Sequence, residues 1–232
     1  MKPYYETKLG KLYHGDCLEI MPELEPVDLV LTDPPYFIPA QFYVNTREGE
    51  KPKRSLSDIS ILKTYFKILF NAIDQKLNKH GSLYMFCDGQ SYPIFYEAAF
   101  PFFKHTRPLI WDKKVGYNGY TWRHQHELIL WGECSDSKRI PTGEGDILRH
   151  KGVLQKDRLH PAEKPVTLMA QIINKHSQDD TIADFFCGSG PVLSACEQLN
   201  RKWIGCEISE KYCEIAAKRL EQETAQLKLF TG

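Results

Sequence analysis

No stretch of the chain approaches the ~18 consecutive apolar residues of a membrane span. The opening Met1-Lys2-Pro3-Tyr4-Tyr5-Glu6 also lacks the apolar region of a secretory signal. The expectation is a cytoplasmic protein with no membrane contact. There is no Cys-x-x-Cys pair, and the seven cysteines, at positions 17, 87, 134, 187, 196, 206 and 213, are odd in number. This points to reduced thiols, several of them buried, rather than a disulfide framework. His124-x-His126 is the only close histidine pair, and no second ligand pair is suitably spaced, so no metal is expected. Internal repeats and low-complexity tracts are missing. So is net charge: Lys plus Arg and Asp plus Glu both number 30. The chain as a whole has no general attraction for polyanions.

The 232 residues fit one large domain, or one domain with a small insert. A content of 42% hydrophobic and 26% charged residues argues against a disordered chain. The charge is segregated. Residues 1–40 carry 3 basic and 7 acidic side chains, and residues 101–158 carry 11 and 7. A basic zone in a neutral protein can be a nucleic-acid face, and scattered solvated charge is the plain alternative.

Short, nearly continuous apolar runs predict strands at Lys11–His14, Val27–Thr32, Ser82–Cys87, Pro108–Trp111, Glu127–Trp131, Thr181–Phe185 and Lys202–Cys206. Such runs suit strands buried on both faces of a parallel sheet. Leu62, Phe66, Leu69, Ile73 and Leu77 form one apolar stripe of a long helix, with Ser57 or Asp58 as its cap. Further helices are expected over 166–176, 191–199 and 210–226. The alternation implies an α/β doubly wound sheet. The polar segments 37–57 and 133–158 do not fit it, and a loop of ~20 residues in a compact domain is usually functional or mobile.

Asp33-Pro34-Pro35-Tyr36 follows directly on the Val27–Thr32 strand, at the carboxyl end where open α/β sheets bind ligands. Prolines hold Asp33 and Pro34 extended. A carboxylate, a carbonyl and an aromatic ring presented together suit a planar amino group. Asp184-Phe185-Phe186-Cys187-Gly188-Ser189-Gly190-Pro191 ends a second strand and opens a helix, with glycines for a tight turn and Pro191 as a first helical residue. Leu193 stands where a dinucleotide fingerprint would want a third glycine, which argues against NAD. Glu207 ends the next strand. It can accept hydrogen bonds from ribose hydroxyls, or act simply as a helix N-terminal acid beside Ser209.

In order, Gly15-Asp16-Cys17, Asp33-Pro34-Pro35-Tyr36, His160-Pro161-Ala162-Glu163-Lys164-Pro165, Asp184 to Gly190, and Gly205-Cys206-Glu207 closely resemble the β class of DNA amino-methyltransferases. The likeness spans roughly residues 11 to 220. It implies a Rossmann-like, mostly parallel methyltransferase sheet in which the catalytic motif precedes the cofactor motif, a circular permutation. The cofactor implied is S-adenosylmethionine. Asp33, Pro34, Pro35 and Tyr36 match the catalytic motif. Asp16, His160, Lys164, Asp184, Phe185, Cys187, Gly188, Ser189, Gly190 and Glu207 fall in the cofactor-pocket motifs, with Cys187 read as a small buried residue. The family usually has proline at position 185 and threonines after the second glycine, whereas this chain has Phe185, Pro191 and Val192.

The resemblance implies methyl transfer to the exocyclic N6 of adenine in DNA, on a base flipped out of the duplex. Aspartate at the first motif position is more typical of adenine enzymes, and serine of cytosine-N4 enzymes. The alternatives are cytosine N4, an RNA or protein substrate, or an inactive cofactor-binding module. DNA contacts are expected from Arg47, Lys51, Lys53 and Arg54, and from Lys113, Lys114 and Arg123 interleaved with Tyr117, Tyr120 and Trp122. The alternative for the last group is an ordinary hairpin around Gly116 and Gly119. One methyltransferase domain is expected over 1–232, with a mobile loop at 37–57 and a target-recognition insert at 133–158. A homodimer and a restriction endonuclease partner are both left open.

Overall fold

The computed structural model describes residues 1–35, 59–116, 121–136, 143–154, 156, 159 and 163–231. In chain order the elements are β1 (Tyr5–Glu6), β2 (Gly10–His14), α1 (Cys17–Ile20), a 3-10 turn (Met21–Glu23) and β3 (Val27–Thr32). Next come α2 (Ile59–Lys76), β4 (Leu77–Cys87), α3 (Tyr92–Ala99), β5 (His105–Asp112), β6 (His126–Glu133) and β7 (Ile147–Arg149). The chain finishes with α4 (Val166–Ile173), β8 (Thr181–Asp184), α5 (Pro191–Gln198), β9 (Lys202–Glu207) and α6 (Glu210–Thr231).

One sheet takes all the strands of the described residues, in the order β1-β2-β9-β8-β3-β4-β6-β5-β7. From β2 to β4 every pairing is parallel. β1 and β6 run against their neighbours. The Glu127–Trp131 run is therefore not a parallel strand, although its apolar continuity suits one. β5 and β6 are joined by a hairpin connection with no helix among its described residues, and such a short link can only turn the chain back. The alternation expected for the rest holds.

Side chains alternate across the sheet, as the pleat requires. Leu29, Leu31, Tyr84, Phe86, Ile182 and Trp203 face one core, which α4, α5 and α6 cover with Leu168, Leu193 and Ala216. Val30, Leu83, Met85, Ala183 and Cys206 face the other, under Phe66, Phe70, Ile73 and Phe95 of α2 and α3. The long apolar stripe is thus the buried face of α2. Its last member differs from expectation: Leu77 opens β4 and pairs with Val27.

Within the polar segment 133–158, Ile147–Arg149 adds a short edge strand, parallel to β5. β2 pairs with β9 through His14↔Glu207. The first parallel strand therefore lies beside the last, which is the neighbour relationship a permuted chain needs. The 37–57 loop and the Ser57 or Asp58 cap lie outside the described residues. No helix among the described residues is long and apolar enough to cross a membrane.

Candidate active site

From β8 the chain passes through α5 to β9 on one side. From β3 it passes through α2 to β4 on the other. The order of strands reverses between β8 and β3, the position where open α/β sheets hold ligands. A cleft of about 720 Å³ opens at their carboxyl ends, within the usual size of a small-molecule site.

The two strand ends are tied together. Asp184 Oδ1 accepts from Thr32 Oγ1 at 2.7 Å and from the Phe186 N–H at 3.1 Å. Burial pushes the Asp184 carboxyl up to about 7, while those two hydrogen bonds pull it down. The chain then turns through Gly188 and Gly190, at φ 51° and 76°, left-handed values that favour glycine. Glu207 braces this turn: Oε2 accepts the Gly188 N–H and Oε1 the Ser209 N–H, both at 2.8 Å. Its carbonyl accepts the Gly15 N–H at 2.9 Å. Asp16 caps α1, with Oδ1 accepting the Leu18 N–H at 2.9 Å. Asp16 and Glu207 both line the cleft, beside Ile208 and Tyr212. Carboxylates with lone pairs remaining, next to apolar walls, suit a ligand with a planar ring and hydroxyls. A glycine turn beneath lets a chain approach the backbone closely.

The facing wall carries charge. Lys164 is 4% exposed, and its Nζ donates to Asp33 Oδ2 at 2.5 Å. The same Nζ lies 3.3 Å from Glu127 Oε2, while Lys113 Nζ lies 2.5 Å from Glu127 Oε1. Aromatic faces back both ammonium groups: Phe86 is 5.2 Å from Lys164 Nζ and Trp111 is 5.1 Å from Lys113 Nζ. Burial pushes the Asp33 carboxyl up, with Lys164 pulling the other way. Burial also penalises ionised Glu127, but Lys164 and Lys113 together hold it below the usual carboxylate range. Asp33 Oδ1 is buried and has no hydrogen-bond partner among the described residues. Beside it Pro34 is buried and Pro35 exposed.

The walls are linked by α6. Arg219 Nη2 donates to Glu163 Oε1 at 2.7 Å, and Nη1 to the Ser189 carbonyl at 3.1 Å. One guanidinium thereby holds the glycine turn against the residue preceding Lys164.

The structure therefore gathers Asp16, Asp33, Pro34, Pro35, Lys164, Asp184, Phe185, Cys187, Gly188, Ser189 and Glu207 around one cleft, with Gly190 as the N-cap of α5. Cys187 is 2% exposed, and burial pushes its thiol well above the ordinary range. It is a small buried group, as expected. Phe185 lines the cleft and is otherwise buried. Lys114 and Arg123 are exposed on the β5–β6 connection. Lys113 is placed differently from those two: it is 15% exposed and paired with Glu127. Its ammonium is engaged inside the wall rather than offered on the rim. Tyr36, His160, Arg47, Lys51, Lys53, Arg54, Tyr117 and Tyr120 lie outside the described residues.

Sequence reasoning missed Glu127, Thr32 and Arg219, and had Glu163 only as a member of the His160–Pro165 motif. A charged residue opening the apolar run 127–131 was the available signal for Glu127. Arg219, in a helix rich in charge, carried none. Among the described residues no group of His, Cys, Asp and Glu could hold a metal ion.

The DNA methylase family profile of N6 and N4 enzymes matches residues 27–218. The Type II methyltransferase M.BamHI of Bacillus amyloliquefaciens is 28% identical over 268 residues, covering 99% of this chain. The chain spans 61% of that relative's length. Among solved structures, the M1.HpyAVI–SAM complex is 22% identical with a TM-score of 0.70, over 91% of this chain and 99% of that one. The cytosine-N4-specific PvuII DNA methyltransferase is 19% identical with a TM-score of 0.76, over 97% of this chain and 93% of that one. The strand-end carboxylate, the glycine turn and the match over 27–218 lead to one statement: the chain belongs to the S-adenosylmethionine-dependent DNA methylase family of N6 and N4 amino-methyltransferases.

Proposed function

We propose that this protein methylates the exocyclic N6 of adenine in DNA, on a base turned out of the duplex. The observation that carries the reading is Asp33 Oδ1, a buried acceptor without a partner among the described residues, at the strand end facing the glycine turn. An exocyclic amine is a poor nucleophile because its lone pair is delocalised into the ring. Asp33 Oδ1 and the Pro34 carbonyl each accept one amino hydrogen. That turns the nitrogen toward tetrahedral geometry and directs its lone pair into the cleft. When bound, S-adenosylmethionine supplies the electrophilic methyl on a sulfonium.

Asp16 and Glu207 receive the hydroxyls and amine of the adenosyl part, and the turn at 188–190 receives the methionine part. Burial disfavours the charged form of Asp33, and Lys164 opposes that effect. Tyr36 stacks on the flipped base. Positioning and electrostatics are the main catalytic contributions of these residues. A base inside a duplex cannot reach this cleft, which is why flipping is part of the reading. Aspartate at the first motif position favours adenine over cytosine.

The experiment is a labelled-methyl transfer assay on DNA, followed by nucleoside analysis. N6-methyladenine is expected. N4-methylcytosine would overturn the choice of base. Label appearing only in RNA or protein would overturn the choice of polymer. Cofactor binding with no transfer to any of them would leave a binding module.

A further inference from the structure

The Asp33–Lys164 pair does not stand alone. Glu127 of β6 and Lys113, just past β5, extend it into a row of four charges of alternating sign: Asp33, Lys164, Glu127, Lys113. The links are 2.5, 3.3 and 2.5 Å. We propose that Glu127 and Lys113 are positioning residues that set the charge density on Asp33, acting through Lys164. The inference rests on the reading of Asp33 as the acceptor for the amino group.

Lys164 sits on Asp33 Oδ2 at hydrogen-bond distance and is 4% exposed. With no competitor, it would neutralise the carboxylate and leave Oδ1 a weak acceptor for a nitrogen that gains positive charge during transfer. Glu127 Oε2 draws on the same ammonium. The positive charge is then shared by two carboxylates, and Asp33 keeps more of its own negative charge. Glu127 needs its own counter-ion to stay ionised in this wall, and Lys113 supplies it at Oε1.

Glu127 lies within β6, and Asp33, Lys113 and Lys164 each lie within two residues of an element end. β5 and β6 pair through Trp111↔Glu127 and Asp112↔His126, which fixes Glu127 and Lys113 on one hairpin. The rings of Phe86 and Trp111 back the two lysines. Asp33 also faces Asp184 at the end of β8 and Cys87 at the end of β4, each of which senses its charge. Burial favours the uncharged form of both. The dominant charges acting on Asp33 are therefore Lys164, Glu127 and Lys113.

The signs make a test. Removing the negative charge at 127 lets Lys164 neutralise Asp33 fully, so the Asp33 carboxyl becomes easier to ionise. Removing the positive charge at 113 has the opposite effect. The measurement is a carbon-13 carboxyl NMR titration of the full chain without cofactor, the Asp33 resonance being identified by its loss in Asp33→Asn. Glu127→Gln should move the Asp33 midpoint down, and Lys113→Met should move it up, each by about one pH unit, tenfold in the equilibrium. The double variant Glu127→Gln with Lys113→Met should return it toward the wild-type value, and it covers the case in which a single variant does not fold. In single-turnover methylation, Glu127→Gln should lower the rate about tenfold with the Kd for S-adenosylmethionine unchanged.

Single-variant midpoints that move in the same direction, or that both stay at the wild-type value, would overturn the inference and leave the row as a structural brace. Failure of the wild-type protein to methylate DNA would instead overturn the proposed function, with the titration result still readable.

Discussion

Lys164 Nζ lies 2.5 Å from Asp33 Oδ2, although 131 residues separate the two in the chain. The bond joins the end of β3 to the segment before α4 and occupies one carboxylate oxygen, leaving the other buried and open. An acceptor held ready in this way costs no reorganisation when charge develops beside it.

Asp33→Asn replaces that acceptor with an amide of the same size. Methyl transfer should fall by about 100- to 1,000-fold, while the Kd for S-adenosylmethionine changes less than about threefold. Tritiated-methyl transfer and calorimetric binding measure the two quantities. Turnover at the wild-type rate would remove Asp33 from the chemistry.

Asp184 gives stability a pH dependence. In the folded protein its carboxyl holds a proton up to about 7, against an ordinary value of 3.8, because it is buried. Its contribution is full below pH 3.8 and is lost as pH rises to about 7, where about 4 kcal/mol has gone. Asp184→Asn cannot ionise. The stability of wild type relative to this variant should therefore fall across that window, as read from urea midpoints at a series of pH values. A difference that does not vary with pH would contradict the assignment.

Arg219 is the link between the two walls. Arg219→Met removes the ion pair that α6 makes with Glu163, whose side chain is 2% exposed. The expected cost is about 3 kcal/mol of stability and about a tenfold weaker Kd for S-adenosylmethionine, with Arg219→Lys recovering part of both. Chemical denaturation and cofactor titration provide the check. Unchanged cofactor affinity in a folded variant would show that the glycine turn holds its shape alone.

Lys114 and Arg123 are the exposed cations of the β5–β6 connection. Lys114 has φ 63°, a conformation asparagine tolerates, so Lys114→Asn with Arg123→Gln removes two charges without new backbone strain. The slope of log Kd for duplex DNA against log salt should fall by about two. Identical salt titrations would clear both residues of phosphate contacts.

The parallel strands and the two loops that line the cleft were legible because each leaves a local signature. Buried strands read as continuous apolar runs, and the loops show Asp33-Pro34-Pro35 and Gly188-Ser189-Gly190 at strand ends. What was missed has a physical reason. Ile147–Arg149 buries only Leu148, so one apolar residue in a polar stretch gives no period to detect. β6 reads like a parallel strand because both its faces are covered, and direction is set by the connection rather than by composition. Lys113 looks like any surface lysine in a basic segment. Its engagement with Glu127 comes from the register of β5 on β6, which no residue pattern along the chain displays. Arg219 was silent because both its partners are distant in sequence.

The place of β9 and β8 between β2 and β3 has a consequence for biosynthesis. A nascent chain on the ribosome makes β2 and β3 early, yet neither finds its shared neighbours until residues 181–207 have emerged. Until then the middle of the sheet is open, with unpaired strand edges that invite aggregation. Closure is late and non-local, and residues 181–207 complete the hollow that residues 15–33 begin.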